Sequence, residues 1–478
     1  MLFHSYVFVF VFLPLCIVGY YITLSNERQR QVTSTKAFLT VMSLISLLYA
    51  SMLSLLVMVI GMLLNYGIFI RMGKSADKRP WLVAGLVINL GMLGLFKYMG
   101  VFGTPLGALG ISFYTFSQIA FLMERYRGNL RQMTPSEYST YITFFPKLIQ
   151  GPIMLPEEMT TQLREQKEKQ IDYEGIYRGL VLFVLGLGKK VLLADTLGNA
   201  VDYGYANLAS LHTGDALIVM LSYTLQIYFD FSGYCDMAMG VAGMLGFWLP
   251  INFNSPYKAE SILEFWKRWH ITLTRFFTRY LYIPMGGSRK GEGRSYLNMM
   301  IVFLVSGIWH GAGLTFLVWG AMHGMLYVLN KWVAARHKGE KQGGKAKHAF
   351  KVGATFLFVN VAWVFFRAPS LSDGLLLFRK IFDLDFTRIN WELAGYFNLD
   401  EFWYVIKVFG IDRWQYAYYI LPVLVLLVSL LIVFFGKTAV EIAEKIKPGV
   451  WTGFVLAVLL VWCVVSFSQV SSFIYVNF

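Results

Sequence analysis

The chain has 478 residues, of which 56% are hydrophobic and 15% are charged, and its mean hydropathy is +0.54. Soluble domains carry about 25% charged residues, so this composition excludes a water-soluble globule, a disordered chain, a collagen-like fibre and a disulfide scaffold. The 42 Lys and Arg against 28 Asp and Glu give a net charge of +14, which is typical of basic cytoplasmic loops facing anionic lipid and does not indicate nucleic-acid binding. The sequence therefore predicts an all-α, multi-pass membrane protein.

The apolar runs indicate how many helices cross the bilayer. A crossing helix needs about 20 apolar residues. Candidate spans are 5–24, 38–50, 52–70, 81–100, 138–155, 176–198, 214–245, 297–309, 313–332, 350–367, 416–435 and 449–469. Several are too short or too long for a simple crossing, and we expect about eleven transmembrane helices. Basic residues flank both ends of the run 38–70 and belong on the same side of the membrane, so an even number of crossings must separate them. The run is therefore predicted to consist of two helices with a break near Ala50 and Ser51.

We expect one membrane domain over 1–478, divided into four parts. Residues 1–100 contain the N-terminal spans, 101–333 a core rich in motifs, 334–349 a basic cytoplasmic loop, and 350–478 the C-terminal spans. Residues 368–415 are amphipathic and are expected to form an interfacial or extracellular cap.

The stretch 104–123 is apolar but carries Pro105, Gly107 and Gly110, and it has two interpretations. Broken backbone at membrane depth is tolerated only where it is buried in protein or lines a cavity, which would make this stretch part of a site. Alternatively it is an ordinary span whose glycines serve helix packing.

Two carboxylates, Asp230 and Asp236, lie inside the long apolar run from Leu217 to Trp248. A charged side chain at the bilayer centre costs at least about 2.5–3.5 kcal/mol, so each is expected to have a partner or a task. The alternative to a role in a site is an internal ion pair or a helix cap near Gly233.

Residues 260–282 have the clearest amphipathic pattern and predict one helix along the cytoplasmic interface. One face is apolar and the opposite face is charged. The apolar face carries Ile262, Trp266, Trp269, Leu273, Phe276 and Tyr280, and the charged face carries Glu264, Lys267, Arg268, Arg275 and Arg279. His270 lies at the edge of the apolar face, where by itself it is best explained as a satisfied interfacial histidine.

His310 lies in the middle of the apolar segment 297–332 and is followed at once by Gly311 and Gly313. An ionisable residue at membrane depth indicates a functional site, and histidine exchanges a proton near neutral pH. The alternative is a histidine hydrogen-bonded between packed helices. His323, thirteen residues later, is expected to be a packing residue.

Few kinds of chemistry fit the remaining motifs. The segment Gly186–Lys190 (GLGKK) lacks the spacing of a phosphate-binding loop, and no zinc-protease or serine-hydrolase motif is present. No carboxylate or thiol is spaced to complete a zinc site with the histidines, so no metal is expected. An intramembrane histidine without a nucleophilic serine suits a general base acting on a hydroxyl acceptor, or a group that relays an acyl unit.

Nine segments of the chain resemble the membrane-bound O-acyltransferases, in the branch of bacterial alginate O-acetyltransferase. They are LGISFYTF (109–116), YRG (126–128), FFPKLIQGPI (144–153), YFDFSGYCDMA (228–238), NFNSPY (252–257), EFWKRWH (264–270), YLYIPMGG (280–287), GIWHGAG (307–313) and FIYVNF (473–478). The resemblance implies a ring of helices around a thinned centre, with re-entrant or broken helices, interfacial helices and a funnel on each side.

The resemblance also implies roles for individual residues. His310 corresponds to the invariant histidine of the family and His270 to its second histidine, and both would be catalytic. Asp230, Ser232 and Trp309 would bind substrate in the cavity. Lys267 and Arg268 would contact the anionic acyl donor, although lipid headgroups explain these cations equally well.

For function, the resemblance implies acetyl transfer across the bacterial cytoplasmic membrane. The acetyl donor would be cytoplasmic acetyl-CoA, a substrate and not a bound cofactor. The acceptor would be an extracellular SGNH-type partner or a polysaccharide, such as alginate. Two alternatives stay open: D-alanyl transfer to teichoic acid, and a transporter or flippase, for which we find no internal repeat.

Overall fold

The computed structural model describes residues 1–30, 34–98, 107–165, 171–336, 344–387, 389–397, 399–414 and 416–469. Within these ranges the chain forms helices and no strands, which confirms the all-α fold class. In the part of the chain that the structure describes, six helices are long and apolar enough to cross a membrane: Phe8–Asn26, Met52–Lys74, Arg79–Tyr98, Thr213–Met244, Lys345–Arg367 and Ala417–Phe435. The number eleven stays a prediction, and the motif at 473–478 lies outside the described residues.

The N-terminal part consists of four long helices. They are α1 (Leu13–Arg30), which continues a π-helical turn at Phe8–Phe12, α2 (Ser34–Ala50), α3 (Met52–Lys74) and α4 (Arg79–Tyr98). The predicted break near Ala50 is confirmed: Ser51 is extended, and its hydroxyl accepts the backbone N–H of Ser54 to cap α3.

The predicted span 138–155 is wrong. The chain there forms α6 (Pro135–Thr143) and α7 (Phe145–Leu148), with a non-helical Phe144 between them. Residues 149–155 are not helical and lead to α8 (Pro156–Glu165). The helix of this region is instead α5 (Ile111–Arg127), which starts after Gly110 at φ +74 and is buried on nearly all sides. Of the stretch 104–123, residues 107–110 are therefore not helical and residues 111–123 belong to one unbroken helix. Pro105 lies outside the described residues.

The middle of the chain places two helices against each other in the protein interior. The first is nearly continuous from α9 (Tyr173–Gly188) through a π-helical stretch, Lys189–Ala194, to α10 (Asp195–Ala206). The second is α11 (Thr213–Met244), and 78% of its most apolar 18-residue stretch is buried.

The predicted single helix over 260–282 is also wrong. It divides into α12 (Ile262–Arg268), α13 (Ile271–Phe277) and a π-helical turn, Thr278–Tyr282. The division falls at His270, whose φ of 45° and ψ of 51° are left-handed. A non-glycine residue pays for this conformation sterically, so surrounding contacts must hold it.

The C-terminal part begins with three long helices and continues through shorter ones. They are α14 (Glu292–His310), α15 (Leu314–Arg336), α16 (Lys345–Arg367), α17 (Leu371–Phe382), α18 (Trp391–Gly395), α19 (Asp400–Val408), α20 (Ile420–Phe435), α21 (Ala439–Lys445) and α22 (Val450–Val465). The helices α15 and α16 extend into the predicted basic loop 334–349, of which 337–343 lie outside the described residues. The predicted cap 368–415 is made of the short helices α17, α18 and α19.

Candidate active site

A tight helical hairpin positions His310. The helices α14 and α15 cross at Gly307 and Gly320, where a Cβ on Gly307 would lie 2.5 Å from the Phe316 carbonyl oxygen. Only glycine permits so close a contact between two backbones. His310 is the last residue of α14, and the extended Gly311 turns the chain into α15. The expectation that His310 lies inside a continuous apolar segment is thus refined, because the helix ends at this residue.

Aromatic side chains surround the His310 imidazole. The ring is 3% exposed. Its centre lies 4.6 Å from that of Trp309, 5.1 Å from Trp319 and 5.0 Å from Phe366. The indole N–H groups of Trp309 and Trp319 are buried and make no hydrogen bond with the described residues. Buried donors without a partner are costly, so these two can bind an oxygen of a substrate.

The end of α14 is held by two side chains of α4. Lys97 donates a hydrogen bond to the Trp309 carbonyl, and Tyr98 donates one to the Ile308 carbonyl. The last carbonyls of a helix have no partner within the helix, and a cation there also offsets the negative end of the helix dipole. The sequence signal for Lys97 is a lone lysine in an otherwise apolar span, whose distant contact cannot be deduced from the pattern.

His270 is fixed by Asn252, which lies 18 residues earlier. The His270 Nδ1 lies 3.1 Å from the Asn252 side-chain oxygen. That oxygen also accepts the backbone N–H of Thr272 at 3.2 Å and its hydroxyl at 2.9 Å, while the Ile271 N–H donates to the Asn252 carbonyl at 3.0 Å. These contacts stabilise the left-handed backbone at His270.

The same contacts determine the tautomer of His270. A backbone N–H can only donate, so the Asn252 oxygen is an acceptor and the His270 Nδ1 must carry the proton. In the neutral imidazole the lone pair is then on Nε2, which is buried without a hydrogen-bond partner among the described residues. The neutral form of His270 therefore has one nitrogen, Nε2, available to accept a proton or a hydrogen bond.

A chain of contacts between aromatic rings connects the two histidines. Trp269, next to His270, lies 5.0 Å from Trp363, which lies 5.8 Å from Trp319, the neighbour of His310. The structure therefore brings the two predicted catalytic histidines into one buried core.

His323 belongs to the packing around this core. Its Nδ1 lies 3.3 Å from the indole nitrogen of Trp266, which can only donate, and its ring contacts Trp319 at 5.0 Å. This arrangement agrees with the packing role expected for His323.

Asp230 and Asp236 of α11 both form ion pairs inside the protein. Lys190 lies 2.7 Å from Asp230 and 2.8 Å from Asp195, and Lys189 lies 2.6 Å from Asp236. Both lysines come from the π-helical stretch after α9. The ion-pair alternative thus describes both carboxylates, and a direct contact of Asp230 with substrate stays a prediction.

Ser232 is buried on α11, and it follows Phe231, whose ring packs edge-on against His270 at 4.8 Å. Phe231, the residue before Ser232, thus contacts His270 directly. Binding of substrate by Ser232 stays a prediction.

The cations predicted on the charged face of 260–282 are mostly paired within the protein. Arg268 pairs with Glu264 at 2.7 Å, Arg275 with Glu158 at 2.5 Å, and Arg279 with Glu124 at 2.5 Å. Lys267 is exposed and forms no ion pair with a described carboxylate. Neither Lys267 nor Arg268 lines the cavity described next. A role of these two residues in binding the acyl donor stays a prediction.

A cavity of about 180 Å³ lies between α13 and the α14–α15 hairpin. Along α14 it extends from Met299 to Ser306, roughly 10 Å, and Ser306 lies one helical turn before His310. Its walls are aromatic, aliphatic and hydroxyl side chains, with no charged residue among those described. Such a cavity fits an uncharged acyl or pantetheine-like chain.

Comparison with known proteins gives consistent matches. A family model described as "MBOAT, membrane-bound O-acyltransferase family" matches residues 4–364. The chain is 36% identical to a peptidoglycan O-acetyltransferase of Helicobacter pylori over 427 residues, 80% of each chain. It is 36% identical to a probable alginate O-acetylase of Pseudomonas aeruginosa over 422 residues, 82% of this chain and 76% of that one. A teichoic acid D-alanyltransferase of Bacillus subtilis is 29% identical over 230 residues, 46% of this chain and 57% of that one.

Proposed function

The chain belongs to the membrane-bound O-acyltransferase family and is an O-acyltransferase, and from this premise we propose that it moves an acetyl group from cytoplasmic acetyl-CoA to an acceptor outside the membrane. The acceptor serves O-acetylation of a cell-surface or secreted polysaccharide. Two relatives whose names specify O-acetylation of peptidoglycan and alginate support the acetyl group and the class of product. The membrane is the bacterial cytoplasmic membrane.

One observation carries this proposal: His310 ends α14 in a buried core, one turn beyond the cavity that runs along the same helix. A buried imidazole at the end of an uncharged cavity can meet a thioester from one side and a hydroxyl from the other. In the general-base form, His310 takes the proton of the acceptor hydroxyl as its oxygen attacks the thioester carbonyl. The C–S bond then breaks, and the imidazolium returns the proton to the coenzyme A thiolate.

Three residues of the same buried core assist this reaction. The attack places negative charge on the former carbonyl oxygen, and the unpartnered indole N–H groups of Trp309 and Trp319 are suited to stabilise it. His270 supports the reaction from the same buried core: its Nε2 is suited to accept a hydrogen bond from an N–H or O–H of a substrate other than the reacting hydroxyl, whose single proton goes to His310.

The acetyl donor enters from the cytoplasmic end of α14. The segment just before and at the start of this helix carries Arg289, Lys290 and Arg294, and basic segments are typical of cytoplasmic loops. From there the cavity leads along Met299 and Ser306 towards His310.

The outer acceptor approaches from the cap, either as the polysaccharide or as an SGNH-type partner that passes the acetyl group on. The cap is fastened to the start of α11: Asp215 accepts the backbone N–H of Asn390 at 2.8 Å, and His212 lies 2.8 Å from Asp385. Within the cap Trp391 and Trp414 are exposed, and they offer a surface to such a partner.

D-alanyl transfer to teichoic acid is the second candidate. It is favoured less, because the D-alanyltransferase of Bacillus subtilis matches 46% of this chain, whereas the two O-acetyl relatives match 80% and 82%.

The test is turnover of radiolabelled acetyl-CoA by the full-length protein in lipid nanodiscs, with the SGNH-type partner or a polysaccharide added. We expect release of coenzyme A by the wild type and none above background by His310→Ala. His323→Asn is the matched control, because it changes a buried histidine of the same core. Discharge of a D-alanyl carrier protein, with no use of acetyl-CoA, would overturn the proposal in favour of the second candidate.

The same experiment distinguishes a general base from an acyl relay. Rapid quenching in denaturant at neutral pH, where an acetylimidazole is hydrolysed slowly, leaves label on the protein when His310 carries the acetyl group, and leaves none when it acts only as a base.

A further inference from the structure

A cleft at the ends of α3, α5 and α8, where α6 begins, has a strongly positive lining. Its volume is about 330 Å³, and it shares no lining residue with the cavity beside α14. Four of its lining residues are cations, Lys74, Arg125, Arg131 and Arg164, and none is a carboxylate. We call it the basic cleft. The excess of positive charge indicates the cytoplasmic side of the membrane.

Arg125 is held in a fixed position within the basic cleft. Its guanidinium lies 4.5 Å from the centre of the Phe69 ring and donates to the carbonyls of Leu130 and Arg131. A Cβ at Gly73 would lie 1.7 Å from the Arg125 Nη2, so the glycine leaves the space that the guanidinium occupies. Because stacking and hydrogen bonds order this side chain before a ligand binds, less entropy is lost on binding.

The described residues supply little negative charge to the basic cleft. Glu137 is the carboxylate beside it, and it is already bonded to Arg164 at 2.9 Å and to Lys36 at 3.6 Å. Lys74, Arg125 and Arg131 form no ion pair with a described carboxylate. A half-buried guanidinium without a counter-charge is unfavourable, and an anion in the cleft would remove that cost.

We propose that the basic cleft binds a phosphate group. Guanidinium groups match phosphate oxygens with paired hydrogen bonds, and Lys74 adds a point charge at the rim. The phosphate has two possible carriers, a soluble coenzyme A thioester or the headgroup of an anionic phospholipid. Only the first carrier rests on the proposed function.

The test uses the full-length protein in nanodiscs and two measurements. The first is the affinity for coenzyme A in phosphatidylcholine nanodiscs, with pantetheine as a ligand without phosphate. The second is the rise in melting temperature when phosphatidylglycerol replaces part of the phosphatidylcholine. The variants are Arg125→Gln, which removes the positive charge, and Gly73→Ala, which leaves the charge but pushes the Arg125 guanidinium out of its position. Arg71→Gln is the matched control, because it removes an exposed cation of α3 that does not line the cleft.

We expect both cleft variants, and not the control, to lose one of the two effects. An affinity for coenzyme A that falls about tenfold, with pantetheine unchanged, supports the soluble carrier. Loss of the stabilisation by phosphatidylglycerol, with coenzyme A unchanged, supports the lipid carrier. If both variants equal Arg71→Gln in both measurements, the proposal is wrong.

Two features keep this test independent of other failures. Binding is measured without turnover, and the measurement with phosphatidylglycerol does not depend on acetyl transfer, so a failure of the acetyl-transfer proposal still leaves the phosphate proposal testable. If Arg125→Gln does not fold, the double variant Lys74→Gln/Arg131→Gln removes two exposed charges without changing the packing, and it is expected to show the same losses.

Discussion

Lys97 of α4 donates a hydrogen bond to the backbone carbonyl of Trp309, and its ammonium lies 4.8 Å from the centre of the Trp309 ring. An N-terminal span thereby fixes the end of the helix that carries His310. The contact joins residues 212 positions apart.

Replacing Lys97 should lower the rate of transfer more than the affinity for the acetyl donor. We expect Lys97→Met to reduce kcat about tenfold with little change in KM for acetyl-CoA, because a cation at a partly buried helix end contributes up to about 2 kcal/mol. Lys97→Arg keeps the charge and should recover part of the rate. Steady-state release of coenzyme A in nanodiscs measures both constants. Tyr98→Phe removes a neutral hydrogen bond to the neighbouring carbonyl and should cost less, and a wild-type kcat in Lys97→Met would contradict this role.

The hydrogen bond between Asn252 and His270 should matter for activity through the tautomer. Asn252→Leu removes the acceptor that keeps the proton on Nδ1, so Nε2 is no longer reliably unprotonated. We expect kcat to fall at least about tenfold, in the range of a lost general acid–base contribution. Cys235→Ala is the control, since it removes only the weak contact at 3.4 Å from the Asn252 side-chain nitrogen. Equal activity of both variants would show that Asn252 does not position the imidazole.

Local signals in the sequence predicted part of this structure. The break at Ser51 was predictable because basic flanks and a capping serine both lie within the segment. The error at 138–155 arose because an apolar run buried inside protein has the same composition as one buried in lipid. The break at His270 was not predictable, since its left-handed backbone depends on Asn252, which no helical periodicity connects to it.

The candidate site shows the same division. His310 and His270 were identified from motifs, whereas Lys97 and Lys189 were not, because their importance lies in contacts between distant helices. The carboxylates Asp230 and Asp236 were recognised as unusual, but the sequence could not decide between a task and a partner. Their lysine partners lie in a π-helical stretch, and the sequence pattern does not distinguish this stretch from the regular helix around it.

The ion pair between Lys189 and Asp236 should be structural, and a double variant can show this. Removing one partner leaves a buried charge, so Lys189→Met and Asp236→Leu should each destabilise the protein by about 3–5 kcal/mol. The double variant Lys189→Met/Asp236→Leu should recover most of this loss, because two apolar side chains replace two charges. Thermal unfolding in detergent measures stability, and coenzyme A release measures activity. A double variant that is stable but inactive would instead assign the pair to catalysis.

Glu137 should make the junction between α6 and α8 sensitive to acid. Burial alone would raise its pKa, but hydrogen bonds from Arg164 and the Thr134 amide, with the charge of Lys36, lower the pKa from 4.5 to about 2. A carboxyl whose pKa is lowered by folding stabilises the protein fully above its unfolded pKa, and this stabilisation is lost as the pH falls from about 4.5 towards 2.

The measurement is the melting temperature in detergent from pH 7 to pH 3 for the wild type and Glu137→Gln. The variant should melt lower at neutral pH, and the difference should shrink below pH 4.5, because protonation makes the wild-type side chain as uncharged as glutamine. Glu174→Gln is the control: its pair with Arg178 is exposed at the helix surface, and such pairs contribute little at any pH. A difference between wild type and Glu137→Gln that stays constant down to pH 3 would mean that the charge of Glu137 does not stabilise the junction between α6 and α8, and that its role is confined to the cap of α6.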